Sequence, residues 1–203
     1  MLSRVLILIF FISFFSFNLK SGDHSILIQK DDDFFIGNPE APVTIIAYES
    51  MSCSHCADFH NNTLDSIKAE YIDTGKVLFI FRDFPFNYPA LAGSMLMRCV
   101  PNDVRYQYMN ALYKLQNNWI RREHSNTRDE LYKIMQSGGM QKDDFDACLG
   151  DINLENDILE GVMNAQKEFN IRSTPSFIIN GILYSGNKST KEFRQIIAKI
   201  LSQ

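Results

Sequence analysis

Hydrophobic residues along this chain switch between two periods, and the switches divide it. Val43-Thr44-Ile45-Ile46-Ala47-Tyr48 is apolar almost throughout, the pattern of a strand buried on both faces. Cys56, His60, Leu64, Ile67 and Tyr71 then recur at helical spacing up to Thr74-Gly75, so a helix with one buried side follows. Residues 77–81 read as a second buried strand, closed by Arg82-Asp83-Phe84-Pro85-Phe86. Strand, helix, strand at this spacing predicts a right-handed βαβ unit. From Tyr88 to Asn170 the period turns helical. Val104, Tyr108, Leu112 and Leu115 form one stripe, and Thr127-Arg128-Asp129-Glu130 is a capping-box pattern opening a helix that Gly138-Gly139 ends. Residues 143–149 and 152–169 complete this region.

The strand signal returns at residues 176–179 and 182–184, which flank Asn180-Gly181, a strong hairpin signal. Ser189-Thr190-Lys191-Glu192 is another capping box, and Phe193, Ile196, Ile197, Ile200 and Leu201 place an apolar stripe on a final helix. The order βαβ, helices, ββα predicts an α/β chain with a thioredoxin-like fold and an inserted helical subdomain. Its first part spans residues 37–86, the insertion 87–170 and its second part 171–203. Residues 23–36, with Asp31-Asp32-Asp33, read as a solvated N-terminal arm. No ligand spacing with a central glycine follows those acids, which argues against calcium.

Residues 1–22 read as an export signal. Arg4 supplies a positive start, and Val5 to Phe17 are apolar except for Ser13 and Ser16. Thirteen residues are short for a membrane span, which needs about 20. No pair of small residues marks a cleavage site, so an uncleaved anchor is the competing reading. Either way the folded part is expected in a bacterial periplasm. The formal net charge is -4; residues 1–22 hold Arg4 and Lys20 and no acid, so the remainder carries -4 - 2 = -6. With no basic stripe, nucleic acid is an unsuitable partner.

Export gives the four cysteines a meaning, because thiols in an oxidising compartment pair. Four allow three connectivities. Cys53 and Cys56 are the close pair, which leaves Cys99 with Cys148. Linking those two would close a loop of about 50 residues, worth about 3–4 kcal/mol in the loop-entropy model; two separate buried thiols are the alternative. Cys53-Ser54-His55-Cys56 lies between a buried strand and a helix, where unpaired N–H groups and the helix dipole favour thiolate over thiol. Cys53, at the exposed first turn, is the expected nucleophile and Cys56 the buried resolving thiol. A helix terminus supplies about 0.3–1 kcal/mol, whereas lowering a thiol pKa by about three units needs roughly 4 kcal/mol. Direct hydrogen bonds to the sulfur, and a donor or charge from His55, are expected to supply the rest. His60 reads as a packed, non-catalytic residue. His24 and His124 have no partner at ligand spacing, and with no second C-x-x-C no metal site is expected.

These motifs together resemble the DsbA family of periplasmic dithiol oxidases. The resemblance covers residues 37–203 and rests on four segments in the family's order and spacing. They are Gly37-Asn38-Pro39-Glu40-Ala41-Pro42-Val43-Thr44-Ile45, the Cys53-Ser54-His55-Cys56 centre, Phe81-Arg82-Asp83-Phe84-Pro85, and Ser173-Thr174-Pro175-Ser176-Phe177. It implies a mixed disulfide between Cys53 and substrate, with His55 at the centre. It implies a cis Pro175, although most X-Pro bonds are trans, with Thr174 and Pro175 against the bound peptide. It implies reduced secreted or periplasmic proteins as substrates, a membrane quinone-linked, DsbB-like partner that reoxidises the enzyme, no cofactor, and a monomer. One branch carries a second cysteine pair in the helical domain, which Cys99 and Cys148 match. Two departures stand out. Ser54 occupies a position where proline is common. Ala47 replaces a frequent glutamate, while Glu49 lies two residues on, on the same strand face, either as a proton-handling group near the buried thiol or as a surface carboxylate. An isomerase or reductase shares the Cys53–Cys56 chemistry, though isomerases typically carry a separate dimerisation domain and only about 14 residues precede this fold after the signal. A copper or zinc chaperone using Cys53, Cys56 and His55 is the alternative outside the enzymes.

Overall fold

The computed structural model describes residues 33–203 apart from Arg122; the segment read as an export signal lies outside them. Five strands form one sheet in the order β1-β3-β2-β4-β5: β1 Phe34–Gly37, β2 Val43–Glu49, β3 Val77–Asp83, β4 Ser176–Ile179 and β5 Ile182–Ser185. β2 and β3 run parallel, as a βαβ unit requires, and the other pairings are antiparallel. Successive residues of β2 serve different cores. Val43, Ile45 and Ala47 face a larger core shared with Phe59, Phe177 and Phe193, while Ile46 and Tyr48 face a smaller one with Ala165 and Ile171. Both faces are therefore covered, which is why the strand is apolar in unbroken sequence.

The helix after β2 begins as α1 Ser54–Phe59 and α2 Asp65–Ile67, joined and continued by π-helical turns at His60–Leu64 and Lys68–Ile72. Cys56, His60, Leu64 and Ile67 are buried along it and Tyr71 is partly buried. Between β3 and β4 lie α3 Tyr88–Cys99, α4 Asn102–Lys114, α5 Gln116–Trp119, α6 His124–Ser137, α7 Lys142–Leu149 and α8 Ile152–Phe169. The thioredoxin-like fold with a helical insertion is thus the architecture observed. After β4, Asn180 and Gly181 both hold positive φ, 43° and 84°, the conformation of a two-residue hairpin turn. Asn180 also ties the turn to the sheet, its Oδ1 accepting from Thr44 N at 2.7 Å. The closing helix α9, Thr190–Leu201, starts with the expected capping box, Ser189 and Glu192 exchanging hydrogen bonds.

Three expectations differ from the structure. The residues read as a solvated arm end in β1, and Asp33 is not solvated: its carboxylate accepts from Arg82 Nε at 2.9 Å and Nη2 at 2.8 Å, with both side chains nearly buried. Local sequence could not show this, because the partner lies 49 residues away. α6 starts at His124, so Thr127 sits inside the first turn, where its buried hydroxyl bonds Arg121 instead of capping. On α4 the fully covered residues are Met109, Leu112 and Tyr113, while Val104 and Leu115 are exposed. The buried face meets the helix after Cys53, where Tyr113 stacks on His60.

Cys99 closes α3 and is bonded to Cys148 of α7. The pairing spans 49 residues, and in the loop-entropy model it contributes about 3–4 kcal/mol by restricting the unfolded chain. The double substitution Cys99→Ala/Cys148→Ala is expected to lower the unfolding free energy by that amount in denaturant titrations, with the loss reproduced by reducing the native protein.

Candidate active site

Cys53 occupies the N-cap of α1 in an extended backbone conformation, with φ -81° and ψ 122°. It is half-buried, while Cys56, one turn later, has no exposed surface. Both are free thiols. Cys53 titrates at about 5, against an ordinary value of 9.0. The main cause is the Cys56 thiol directed at its sulfur; burial opposes this. The Thr174 side chain and the backbone N–H groups of Cys56 and His55 lower it further. Those N–H groups face the sulfur without closing a full capping hydrogen bond, and the buried Thr174 hydroxyl has no hydrogen-bond partner; each acts as a nearby dipole. When protonated, Cys53 Sγ donates to the Thr174 carbonyl at 3.3 Å. Cys56 is pushed the other way, well above the ordinary thiol range, first by burial, then by the hydrogen bond to Cys53 and the charge of Glu49. At neutral pH one sulfur is an anion and the other a thiol.

The structure brings Thr174 and Pro175 beside Cys53, and the Thr174–Pro175 peptide bond is cis. His55 lies in the first turn of α1 with its side chain exposed. Its backbone N–H is the group that acts on Cys53. Glu49 is not a surface carboxylate: it is 5% exposed, and its Oε2 lies 2.9 Å from Nε2 of His60, itself 4% exposed. Oε1 of Glu49 is buried with no hydrogen-bond partner. The His60 ring stacks on Tyr113, with centroids 4.0 Å apart. His60 is packed, as its place on the helix suggested, but against an acid whose charge reaches Cys56.

One participant escaped the sequence reading. Gln116, at the start of α5, is 7% exposed, and its Nε2 donates to Met51 O at 2.9 Å and Cys53 O at 3.0 Å. The insertion thereby clamps the turn that presents Cys53. Its partners lie 65 and 63 residues earlier in the chain, so no local signal marked it. Among the described residues no group of three or more His, Cys, Asp or Glu could hold a metal ion, and no helix is long and apolar enough to cross a membrane.

Residues 29–199 match the thioredoxin family model. A crystal structure of Wolbachia pipientis α-DsbA1 is similar at 30% identity, covering 88% of this chain and 96% of that one, with a TM-score of 0.83. The chain belongs to the thioredoxin family, in its DsbA branch. A Rickettsia felis protein named as a protein-disulfide oxidoreductase is 30% identical over 179 residues. The match takes in 85% of this chain, which spans 62% of the length of that relative. BdbD from Bacillus subtilis shares the fold, with a TM-score of 0.75 at 20% identity, 85% of this chain and 94% of that one being covered.

Two outcomes follow from the Cys53 environment. Alkylation of Cys53 is expected to reach half its maximal rate near pH 5; a midpoint near 8.5 would contradict the assignment. The second concerns stability. The folded pKa lies below the unfolded one, so thiolate formation stabilises the reduced protein fully above about pH 9 and not at all below about pH 5. Reduced wild-type protein should therefore gain stability over Cys53→Ala as pH rises through that window. Thermal unfolding at a series of pH values reads this directly. Replacing Gln116 by Leu removes both clamps: the Met51 carbonyl loses its side-chain donor, while Cys53 O keeps only its bond from Ala57 N. It should lower stability by about 1–3 kcal/mol, read by denaturant titration, and raise the alkylation midpoint.

Proposed function

We propose that this protein is a periplasmic dithiol oxidase that introduces disulfide bonds into exported proteins. The observation that carries the reading is the placement of the two sulfurs, Cys53 half-buried at the N-terminus of α1 and Cys56 fully buried one turn on. A stabilised Cys53 thiolate favours the reduced dithiol, so the Cys53–Cys56 disulfide is a strong oxidant. In the oxidised protein a substrate thiolate attacks Cys53, forming a mixed disulfide as the Cys53–Cys56 bond breaks. Cys56 departs with the electron pair and takes up a proton. The second substrate thiolate then attacks the substrate sulfur of the mixed disulfide, forming the product disulfide and releasing Cys53 as its stable thiolate. Two electrons have passed from substrate to enzyme. A membrane quinone-linked, DsbB-like partner would take them onward. His55, exposed in the first turn of α1, stands where substrate and this partner approach Cys53. Thr174 and Pro175 form the edge on which the peptide lies, and the protein acts as a monomer.

Glu49 and His60 serve Cys56 in this scheme. The departing thiolate is buried and needs a proton, and Glu49, whose charge acts on Cys56, is buried against His60. Glu49→Gln should slow the step in which Cys56 leaves by about a hundredfold, the low end for a positioned proton carrier. The alkylation midpoint of Cys53 is expected to change far less.

Equilibration against glutathione and oxidation of a dithiol peptide test the function together. A potential well above that of thioredoxin, with rapid peptide oxidation, is expected. A thioredoxin-like potential, or repair of scrambled disulfides with little dithiol oxidation, would instead identify a reductase or isomerase. Tight stoichiometric metal binding that survives oxidants would identify a metal carrier.

A further inference from the structure

Cys53 opens onto a cleft of about 450 Å3 whose walls come from three separate parts of the chain. Phe86 and Asn87 come from the segment after β3, and Arg172, Ser173 and Thr174 from the loop before β4. The floor is the Ser50–Ser54 turn that carries Cys53. Two side chains in these walls have no role in the thiol chemistry, and both are unusual. Phe86 is 56% exposed, although large aromatic side chains are normally covered. It is also held in place: its ring packs edge-on against Phe84 at 5.2 Å, and Phe84 packs edge-on against Tyr48 at 6.4 Å. The adjacent Asn87 is equally fixed, because its Oδ1 accepts from Ser52 Oγ and Ala90 N, both at 3.0 Å. An exposed aromatic on a rigid frame loses little freedom when it binds, and such residues carry much of the energy of recognition. Arg172 is exposed and is the one basic side chain among the described residues lining the cleft. The protein is otherwise net acidic. At physiological salt the screening length is about 8 Å, so a cation at the cleft edge dominates contact-range selection while the rest of the surface does not.

We propose that this cleft selects substrate cysteines lying in an unfolded stretch that carries an acidic residue and an aromatic one, the acid meeting Arg172 and the ring meeting Phe86. The inference rests on the oxidase reading and names its substrate class. The docked thiolate forms the bond to Cys53 by the exchange already described, so no further reactant is required. The cleft is open and its polar walls are neutral serines and asparagine, so it discriminates by these two contacts and otherwise accepts any sequence.

Peptides with one cysteine pair test this, identical except that the first cysteine is flanked by Asp and Phe, Lys and Phe, or Asp and Gly. The rate at which each reduces the oxidised protein is measured at low and physiological salt. The Asp–Phe peptide should react about fivefold faster than the Lys–Phe peptide at low salt, with the ratio shrinking as salt rises. Arg172→Glu should invert that ratio, and using a ratio cancels any general change in Cys53 reactivity. Phe86→Ala should remove an advantage of about tenfold that Asp–Phe holds over Asp–Gly. Equal ratios in wild type and Arg172→Glu, or an undiminished Phe preference in Phe86→Ala, overturn the inference while leaving the oxidase reading intact. If no peptide reduces the oxidised protein, the oxidase reading itself fails and the inference falls with it.

Discussion

Everything at this site depends on one asymmetry: two identical side chains, three residues apart, must hold opposite charge states. A helix dipole alone cannot arrange that, since it contributes about 0.3–1 kcal/mol near the terminus. The larger lever is burial. Cys56 lies inside the core with Phe59 and Ala57, so ionising it would strand a charge in an apolar setting. It therefore stays protonated and acts on Cys53. Cys53 is only half-buried and carries the anion that Cys56 cannot. The first turn of α1 is the shortest device that puts one residue at the surface and the other in the core.

That division requires α1 to stay seated on the sheet, and here the helical insertion is part of the site. Gln116 holds the turn around Cys53 from one side. Tyr113, one turn earlier, stacks on His60, which in turn holds Glu49. A fold built only from the sheet, α1 and α9 would leave both carbonyls and the Glu49 carboxylate without these partners. The Cys99–Cys148 bond ties α3 to α7, and α3 packs Ala92, Met95 and Leu96 into the same core as Cys56.

Where a local pattern determined the structure, it was legible. The unbroken apolar run of β2, the Asn180–Gly181 turn and the Ser189–Glu192 capping box each act within a few residues, and each appears where the chain suggests. The position of Cys53 and Cys56 at a strand-to-helix junction was legible for the same reason. What stayed hidden depends on partners distant in sequence. Asp33 looks like one of three solvated acids until β1 brings it to Arg82. Gln116 looks like a surface amide until α4 and α5 turn it toward Met51 and Cys53. Glu49 presented two readings, and only the packing of α4 over His60 separates a buried acid from a solvated one.

The two departures from the family pattern act differently for a physical reason. Ser54 stands at the first helical position, whose N–H is unpaired in any helix. The N–H groups that lower Cys53 belong to His55 and Cys56, so serine and proline at position 54 leave those donors equally intact. Ala47 is a different matter. Residues 47 and 49 share a strand face, and a strand advances about 3.3 Å per residue. Carrying the carboxylate at 49 moves it roughly 7 Å toward the end of β2 where α1 begins. At position 47 the side chain is small and fully covered by the core around Phe81. At 49 a carboxylate meets His60. The face is kept, and the carboxylate moves toward the end of β2, where His60 receives it.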